Sequence, residues 1–258
     1  MTGTNPPRYT ALGSSMAAGP GIWPTAPDAP RHSGRSAINY PHLVAQQLGY
    51  ELVDRTFSGA TTAHVLQDTQ FGNPPQITAL DGSEHLVTIT IGGNDVGYVP
   101  MLMAACLPRL LRRVLRPVVH PLFDPAARDA ALVRVGDALN TVGAEVRRRA
   151  PKARVLFVDY LTLLPPATGP CPPISAEHAA LGRHIATRLQ ELTAAAAAQT
   201  GCELIGAAAA SRDHHGWSEQ PWVTRFHLPL PRRVAPLHPN STGMAAVAEL
   251  ICAQLTGR

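Results

Sequence analysis

The stretch Val87-Thr88-Ile89-Thr90-Ile91-Gly92-Gly93-Asn94-Asp95 decides the fold class of this chain. Its β-branched run is typical of a strand, and the two glycines that follow end that strand. Asn94 and Asp95 then stand just beyond the strand, at the end where parallel sheets bind ligands. Whether the sheet is parallel depends on what separates this strand from its neighbours along the chain.

Short apolar runs alternate with longer helical patterns on both sides of that stretch. Parallel strands need crossover connections, usually helices, so the alternation predicts a parallel sheet covered by helices, an α/β fold. No break in composition divides the chain, and we expect a single domain over residues 1–258. The predicted strands are Tyr9–Leu12, Glu51–Phe57, Leu86–Ile91, Arg154–Tyr160 and Glu203–Ile205, and the predicted helices are Pro41–Leu48, Thr61–Gln67, Ala127–Ala150, Ser175–Ala198 and Ser241–Leu255.

The composition argues against three classes of protein. With 45% apolar residues among 258, the chain can bury a sizeable core, which excludes a disordered protein. No run approaches the roughly 20 apolar residues that cross a bilayer, so we expect no stable membrane insertion. The net charge of +4 rests almost wholly on arginine, and Lys152 is the single lysine. Since no nucleic-acid-reading motif accompanies that charge, we expect no nucleic-acid partner.

Two segments depart from the alternation of strands and helices. Pro20–Ser36 is rich in proline, glycine and arginine and predicts a loop. Pro100–Pro125 mixes apolar residues with arginines and prolines, and two interpretations stay open. It is either a solvated helix with a long surface loop, or an insertion that flanks the active site and supplies an apolar pocket for an acyl or alcohol group.

Four short blocks place polar residues or glycine where predicted strands end or the last helix begins. Ligands bind outside the carboxyl ends of parallel strands, so these positions are candidates for a site. A serine hydroxyl needs an adjacent base to attack at neutral pH, and histidine is the usual base. The blocks read Gly13-Ser14-Ser15-Met16, Ser58-Gly59-Ala60, Gly92-Gly93-Asn94-Asp95 and Leu237-His238-Pro239-Asn240.

Taken in this order, the four blocks resemble those of the SGNH hydrolase family, the GDSL esterases and lipases. Ser15 corresponds to the family's nucleophile, Gly59 to its glycine, Asn94 to its asparagine and His238 to its histidine. The resemblance implies a flavodoxin-like three-layer αβα sandwich around a central parallel sheet of about five strands. It also implies a carboxylic ester hydrolase that acts on a small-molecule ester, for which we expect neither a cofactor nor a metal.

The chemistry of these residue types agrees with the resemblance. His238 would take the proton of Ser15 as the serine attacks the carbonyl carbon of an ester, and would then protonate the leaving alcohol. The backbone N–H groups of Ser15 and Gly59 and the side-chain amide of Asn94 would form the oxyanion hole. Asp95 is expected to brace its loop through hydrogen bonds to the backbone rather than to transfer protons.

Two positions depart from the family pattern. Ser14 stands where the first block usually carries Asp, and Ala235 stands where the family usually places the acid of the triad. We therefore expect a backbone carbonyl near Ala235 to orient His238, giving a Ser–His dyad, with a distant acid such as Asp213 as the alternative. Other hypotheses stay open: an acyltransferase, a carbohydrate deacetylase, or a catalytically weak binding protein on the same scaffold.

The remaining expectations concern compartment, cysteines and metals. Residues 1–8 contain no apolar core of a signal peptide, which indicates a cytoplasmic protein, with a processed secreted form as the alternative. Cys106 and Cys171 lie in loop-like segments, and their pairing stays open. The adjacent His214 and His215 lack the spacing of a metal site, so we expect a surface loop there. The natural ester and the oligomeric state are not defined by the sequence.

Overall fold

Five strands form the central sheet of the structure, a computed structural model that describes residues 6–227 and 233–257. They are β1 (Arg8–Gly13), β2 (Glu51–Asp54), β3 (Glu84–Thr90), β4 (Arg154–Val158) and β5 (Glu203–Ile205). Their order in the sheet is β2-β1-β3-β4-β5, and every neighbouring pair is parallel, which confirms the predicted sheet. Of the segment considered for a signal peptide, residues 1–5 lie outside the described residues.

Ten α-helices accompany the strands in the described part of the chain. They are α1 (Ser15–Ala18), α2 (Tyr40–Leu48), α3 (Thr62–Leu66), α4 (Tyr98–Cys106), α5 (Arg109–Val114), α6 (Arg116–Val119), α7 (Pro125–Arg149), α8 (Ala176–Gln199), α9 (Ala207–Ala210) and α10 (Ser241–Thr256). Two 3₁₀ turns, Gln76–Ala79 and His120–Phe123, complete the regular structure of this part.

The direction of the crossovers distributes the long helices over both faces of the sheet. The chain moves from β1 to β2 through α2, but it moves the opposite way from β3 to β4 through α7 and from β4 to β5 through α8. Right-handed crossovers therefore place α2 on one face and α7 and α8 on the other. α10 packs against α2, and α7 packs against α8. The three-layer αβα sandwich is thereby confirmed, whereas the single-domain organisation stays a prediction.

Polar side chains determine where the long helices begin. Asn39, Asp124, Ser175 and Asn240 precede α2, α7, α8 and α10, and each accepts a hydrogen bond from a backbone N–H in the first turn. These bonds satisfy donors that a helix start otherwise leaves unpaired. The helix start predicted at Ser175 is confirmed. The other four predicted helices begin and end within two residues of the observed bounds.

Two strands are shorter than the sequence predicts. β2 ends at Asp54 rather than at Phe57, and just beyond that end the Asp54 carboxylate accepts the N–H and the hydroxyl of Thr56 at 2.8 and 2.6 Å. β4 ends two residues before Tyr160, and the Asp159 carboxylate that follows it accepts a backbone N–H of α9 at 2.8 Å. Backbone hydrogen bonds to the neighbouring strand continue past both ends, from Arg55 and Phe57 to β1 and from Asp159 to β5.

The segment Pro100–Pro125 fits neither of its two interpretations in full. Its beginning belongs to α4, where Met101 and Leu102 are fully buried against α8, so a solvated helix is wrong for this part. The remainder, through α5, α6 and the following 3₁₀ turn, is largely exposed. That the segment flanks the active site stays a prediction. By contrast, Pro20–Ser36 contains no helix and no strand of the sheet, which confirms the predicted loop.

Gly243, at the start of α10, lies too close to the backbone of another segment for a side chain. A Cβ there would be 2.2 Å from the carbonyl oxygen of Trp222. Gly243→Ala is expected to lower the free energy of unfolding by about 1–3 kcal/mol, although Ala usually stabilises a helix relative to Gly. Urea denaturation measures the change. Gly206→Ala, where nothing lies within 4 Å of the added Cβ, is the control and should be neutral or slightly stabilising.

Candidate active site

Ser15 and His238 are in direct contact at the carboxyl edge of the sheet. Ser15 is the first residue of α1, two residues after β1 ends, and His238 lies three residues before α10 begins. The Ser15 Oγ and the His238 Nε2 are 2.8 Å apart, which is hydrogen-bond distance. Both residues are buried, with exposed fractions of 7% and 8%. The chain thus joins two groups that lie 223 positions apart in sequence.

The second ring nitrogen of His238 contacts a backbone carbonyl. His238 Nδ1 is 2.8 Å from the carbonyl oxygen of Pro236, the residue after Ala235. A carbonyl oxygen only accepts, so Nδ1 carries the proton and Nε2 is free to accept the Ser15 hydroxyl. Within residues 6–227 and 233–257, no carboxylate contacts His238. Asp213, the alternative acid, interacts with His215 instead: burial lowers the pKa of His215, and the charge of Asp213 partly opposes that effect.

Thr224 holds the backbone on both sides of this histidine. Its hydroxyl donates to the carbonyl of Ala235 at 2.8 Å, and its N–H donates to the carbonyl of His238 at 2.9 Å. Between them Leu237 adopts a left-handed conformation with φ 59°, which is uncommon for a residue other than glycine. The turn brings the imidazole of His238 back over the carbonyl of Pro236, two residues earlier.

Burial determines the charge state of His238. Removing the imidazole from water disfavours its charged form and lowers the pKa of His238 below its ordinary value. The hydrogen bond to the Pro236 carbonyl opposes this effect, but it is the smaller contribution. His238 is therefore neutral at pH 7, the state in which Nε2 accepts a proton.

Gly59 and Asn94 lie in loops that a hydrogen bond connects. Gly59 follows β2 with φ 79°, a left-handed conformation that glycine adopts without strain. The side-chain amide of Asn94 donates to the carbonyl of Ala60 at 2.8 Å, so the loop after β3 is tied to the loop after β2. The backbone N–H groups of Ser15 and Gly59 have no acceptor among the residues that the structure describes. Unpaired N–H groups at this edge are available to an anion.

Asp95 ties the same loop to the start of α3. Its carboxylate accepts the N–H of Thr62 at 3.1 Å and the hydroxyl of Thr62 at 2.5 Å. Burial raises the pKa of Asp95, and the bonds from Thr62 partly offset that effect. This geometry matches the bracing role that the sequence indicates for Asp95.

Tyr160 is a residue of this edge that sequence reasoning missed. Its hydroxyl oxygen accepts the N–H of Gly93 at 2.9 Å and lies 3.3 Å from the hydroxyl of Ser14. A Cβ on residue 93 would be 2.3 Å from the Tyr160 ring, so only glycine fits against it. Ser14, which replaces the family's acid, thus contacts a phenol whose pKa burial raises to about 12. The position of Tyr160 as the last residue of a predicted strand was the available signal.

Tyr160 also lines a cavity of about 290 Å³, to which Ser14 does not belong. Its wall is mainly apolar, and neither Ser15 nor His238 belongs to it. The residues that line it include Ile91, Tyr98, Leu161, Leu164, Leu189 and Arg183.

The two adjacent histidines each have a separate structural contact. The ring of His214 stacks on Trp222 with centroids 4.2 Å apart, and its Nδ1 is 2.8 Å from the carbonyl of Gln220. His215 Nδ1 accepts the N–H of Trp217 at 3.1 Å. In the described ranges, no three residues of the types His, Cys, Asp or Glu are grouped so as to hold a metal ion. The four cysteines are unpaired, including Cys106 and Cys171.

A model of the GDSL-like Lipase/Acylhydrolase family matches residues 11–246. The chain belongs to this family. Lipase 2 of Streptomyces coelicolor is 33% identical over 248 residues, which are 93% of this chain and 83% of that protein. The SGNH resemblance is confirmed, and this member of the GDSL-like family is a carboxylic ester hydrolase.

Solved structures extend the likeness of this GDSL-like chain to three dimensions. An extracellular lipase from Streptomyces rimosus is 25% identical and superposes with a TM-score of 0.75, covering 96% of this chain and 99% of that one. A phospholipase A1 from Streptomyces albidoflavus NA297, 24% identical with a TM-score of 0.77, covers 97% of this chain and 99% of its own and has the same fold. Among the described helices, none is both long and apolar enough to cross a bilayer.

Tyr160→Phe tests whether the phenol positions the loop after β3. The change leaves the buried N–H of Gly93 without its acceptor, which typically costs about 1–3 kcal/mol. We expect kcat for ester hydrolysis to fall about 10-fold while KM is nearly unchanged. Steady-state kinetics on p-nitrophenyl butyrate separate the two constants.

Tyr50→Phe is the matched control for that experiment. Tyr50 packs edge-on against Tyr9 just before β2, at the opposite end of the strands. Its variant should retain both kinetic constants. An equal fall in kcat for the two variants, or a change in KM alone for Tyr160→Phe, would contradict the positioning role.

Proposed function

We propose that this chain hydrolyses carboxylic esters through an acyl-enzyme on Ser15, with His238 as the general base and the Pro236 carbonyl as the group that orients it. One observation carries the proposal: Ser15 Oγ, His238 Nε2, His238 Nδ1 and the Pro236 oxygen form a continuous chain of two 2.8 Å contacts. A nucleophile, a base and a group that orients the base are the parts that serine acyl transfer requires.

In the first half-reaction, Ser15 Oγ attacks the carbonyl carbon of the ester while its proton moves to His238 Nε2. The tetrahedral intermediate collapses when the bond to the alcohol oxygen breaks, and His238 returns the proton to that oxygen. In the second half-reaction, His238 takes a proton from water as the water oxygen attacks the acyl-enzyme. Collapse then frees the carboxylic acid and returns the proton to Ser15.

The oxyanion of each tetrahedral intermediate would be stabilised by donors at the same edge. The unpaired N–H groups of Ser15 and Gly59 supply two donors, and Asn94 supplies the third. One N–H of the Asn94 amide is used on the carbonyl of Ala60, which leaves the other for the oxyanion. Donors fixed by hydrogen bonds before substrate arrives need no rearrangement during the reaction.

A neutral carbonyl in place of an acid has a chemical consequence. The Pro236 oxygen fixes the tautomer of His238, which is one role of a triad acid, but it adds no negative charge to stabilise the imidazolium. We therefore expect a lower kcat than a carboxylate partner would support.

Lipid esters are the proposed substrate class. The relative that is 33% identical is named Lipase 2, and a second relative from Streptomyces rimosus, 28% identical over 248 residues, is named Lipase. The carbohydrate esterase structure from Corynascus thermopiles is 17% identical with a TM-score of 0.55, so it supports the fold alone. A carbohydrate deacetylase and an acyltransferase remain alternatives that share the same acyl-enzyme.

Ser15→Ala tests the nucleophile against its neighbour. Removing the attacking oxygen should lower hydrolysis of p-nitrophenyl acetate and butyrate by at least about 10³-fold. Ser14→Ala is the matched control, because Ser14 lies one residue away and its hydroxyl contacts Tyr160 rather than His238. It should retain activity within about 10-fold. A fluorophosphonate probe should label the wild type and the Ser14 variant only, and equal hydrolysis by all three proteins would rule out the mechanism.

The pH profile tests the charge state of His238. The base must be neutral, and burial lowers its pKa from 6.5, so kcat/KM should fall only as pH drops through a value below 6.5. Rates of p-nitrophenyl butyrate hydrolysis at acidic and neutral pH measure this fall in kcat/KM, the acidic limb of the pH profile. Asp213→Asn should leave the limb in place. A limb above 6.5 that this variant shifts would instead identify Asp213 as the partner of the histidine.

A further inference from the structure

The helices α5 and α6 expose apolar side chains to a degree that is unusual for the surface of a globular protein. Leu110, Val114 and Val118 are 80%, 76% and 71% exposed, and Leu111 and Leu115 are exposed beside them. Leu110 and Val114 are four residues apart on α5 and share one side of that helix, and Val118 lies on the next helix, α6. A contiguous exposed apolar surface of this kind indicates an interaction site.

The same segment is positively charged and contains no acid. Leu107–Phe123 carries four arginines and neither Asp nor Glu. Arg109, Arg113 and Arg116 are exposed, and Arg112 lies 3.2 Å from a ring nitrogen of His178. In the described part of the chain, none of the four forms a salt bridge. Their charge is therefore available to an anionic partner, whereas the exposed Arg148 is paired with Glu145.

The segment lies near the edge of the sheet that carries Ser15. The crossover from β3 to β4 leaves the sheet at its carboxyl edge, and α8 begins at that edge because it follows β4. His178, in the first turn of α8, stacks on Phe123 with ring centroids 4.0 Å apart and contacts Arg112. The start of α8 therefore anchors α5 and α6 at the end of the molecule where the nucleophile is found.

We propose that the surface formed by α5 and α6 docks on the face of an anionic phospholipid bilayer. Leu110, Val114 and Val118 would enter the boundary between headgroups and acyl chains, and the guanidinium groups would bind the phosphates of the headgroups. The positive charge of the arginines by itself would allow binding to any acidic polymer. The interleaved exposed apolar side chains favour a lipid surface, because arginine stems and apolar side chains can be buried together while the charged heads stay in the headgroup layer.

This docking is independent of catalysis by Ser15, although it would bring a lipid ester to the proposed site. Binding is therefore measured on the full chain carrying Ser15→Ala, so that no vesicle lipid is hydrolysed. The probes are phosphatidylcholine vesicles with and without phosphatidylserine, in a flotation assay. We expect at least about 10-fold stronger binding to the vesicles that contain phosphatidylserine, and weaker binding at high salt.

Two sets of substitutions separate the apolar and charged contributions. Leu110→Ser with Val114→Ser and Val118→Ser, and separately Arg109→Gln with Arg113→Gln and Arg116→Gln, should each weaken vesicle binding by at least about 10-fold. Because these side chains are exposed, the fold should persist. When the same substitutions are made in the protein that retains Ser15, neither set should change the hydrolysis of soluble p-nitrophenyl butyrate.

The matched control is Val133→Ser with Arg134→Gln, an exposed apolar and basic pair on α7 that should leave binding unchanged. Binding that neither triple variant weakens, or equal binding to neutral vesicles, overturns the proposal. Equal binding to soluble polyaspartate that the serine variants do not reduce would assign the surface to an acidic polymer instead. If the protein that retains Ser15 did not hydrolyse the soluble ester, the proposed role of Ser15 would be wrong. The vesicle-binding results would still decide the docking proposal.

Discussion

The parallel order of the strands is the constraint on which the rest of this molecule depends. Every crossover returns the chain to the amino end of the next strand, so the residues that follow each strand collect at one edge. β1 lies between β2 and β3, which brings the loop with Ser15 between the loops with Gly59 and Asn94. Hydrogen bonds from Asn94 to Ala60 and from Gly93 to Tyr160 then fix these loops to one another. A rigid sheet thus supports a site built on loops.

His238 reaches the same edge by a different route, because it precedes α10 and, among the residues that the structure describes, no strand of the sheet directly precedes it. Its position depends on Thr224, which holds the carbonyls of Ala235 and His238, and on the left-handed turn at Leu237. The carbonyl of Pro236 orients the ring but carries no charge, so nothing offsets the burial that lowers the pKa of His238 except a hydrogen bond. A buried carboxylate would have raised that pKa by attraction. Contact with a backbone carbonyl rather than an acid thus leaves the pKa of His238 below its ordinary value.

The crossover from β3 to β4 contributes both to the candidate site and to an exposed apolar and basic surface. Its beginning, Gly92–Asp95, contacts Ser14 through Tyr160 and α3 through Thr62. Its middle exposes the apolar and arginine side chains of α5 and α6. Between them α4 buries its apolar side chains against α8, which fixes the exposed helices to the body of the protein. Four of the arginines that contribute to the net positive charge lie on this stretch, where we propose that they bind anionic lipid.

By itself the sequence determined the parallel α/β sandwich and brought Ser15, Gly59, Asn94 and His238 forward as one set, because strand and helix patterns and short motifs are local properties. Only the tertiary structure decided that Pro236 is the partner of His238, that Tyr160 contacts Gly93, and that α4 is buried while α5 is exposed. The physical reason is the same in each case. A backbone carbonyl, a phenol or an apolar helix has many equivalent partners along a chain, and distances between remote segments select one of them.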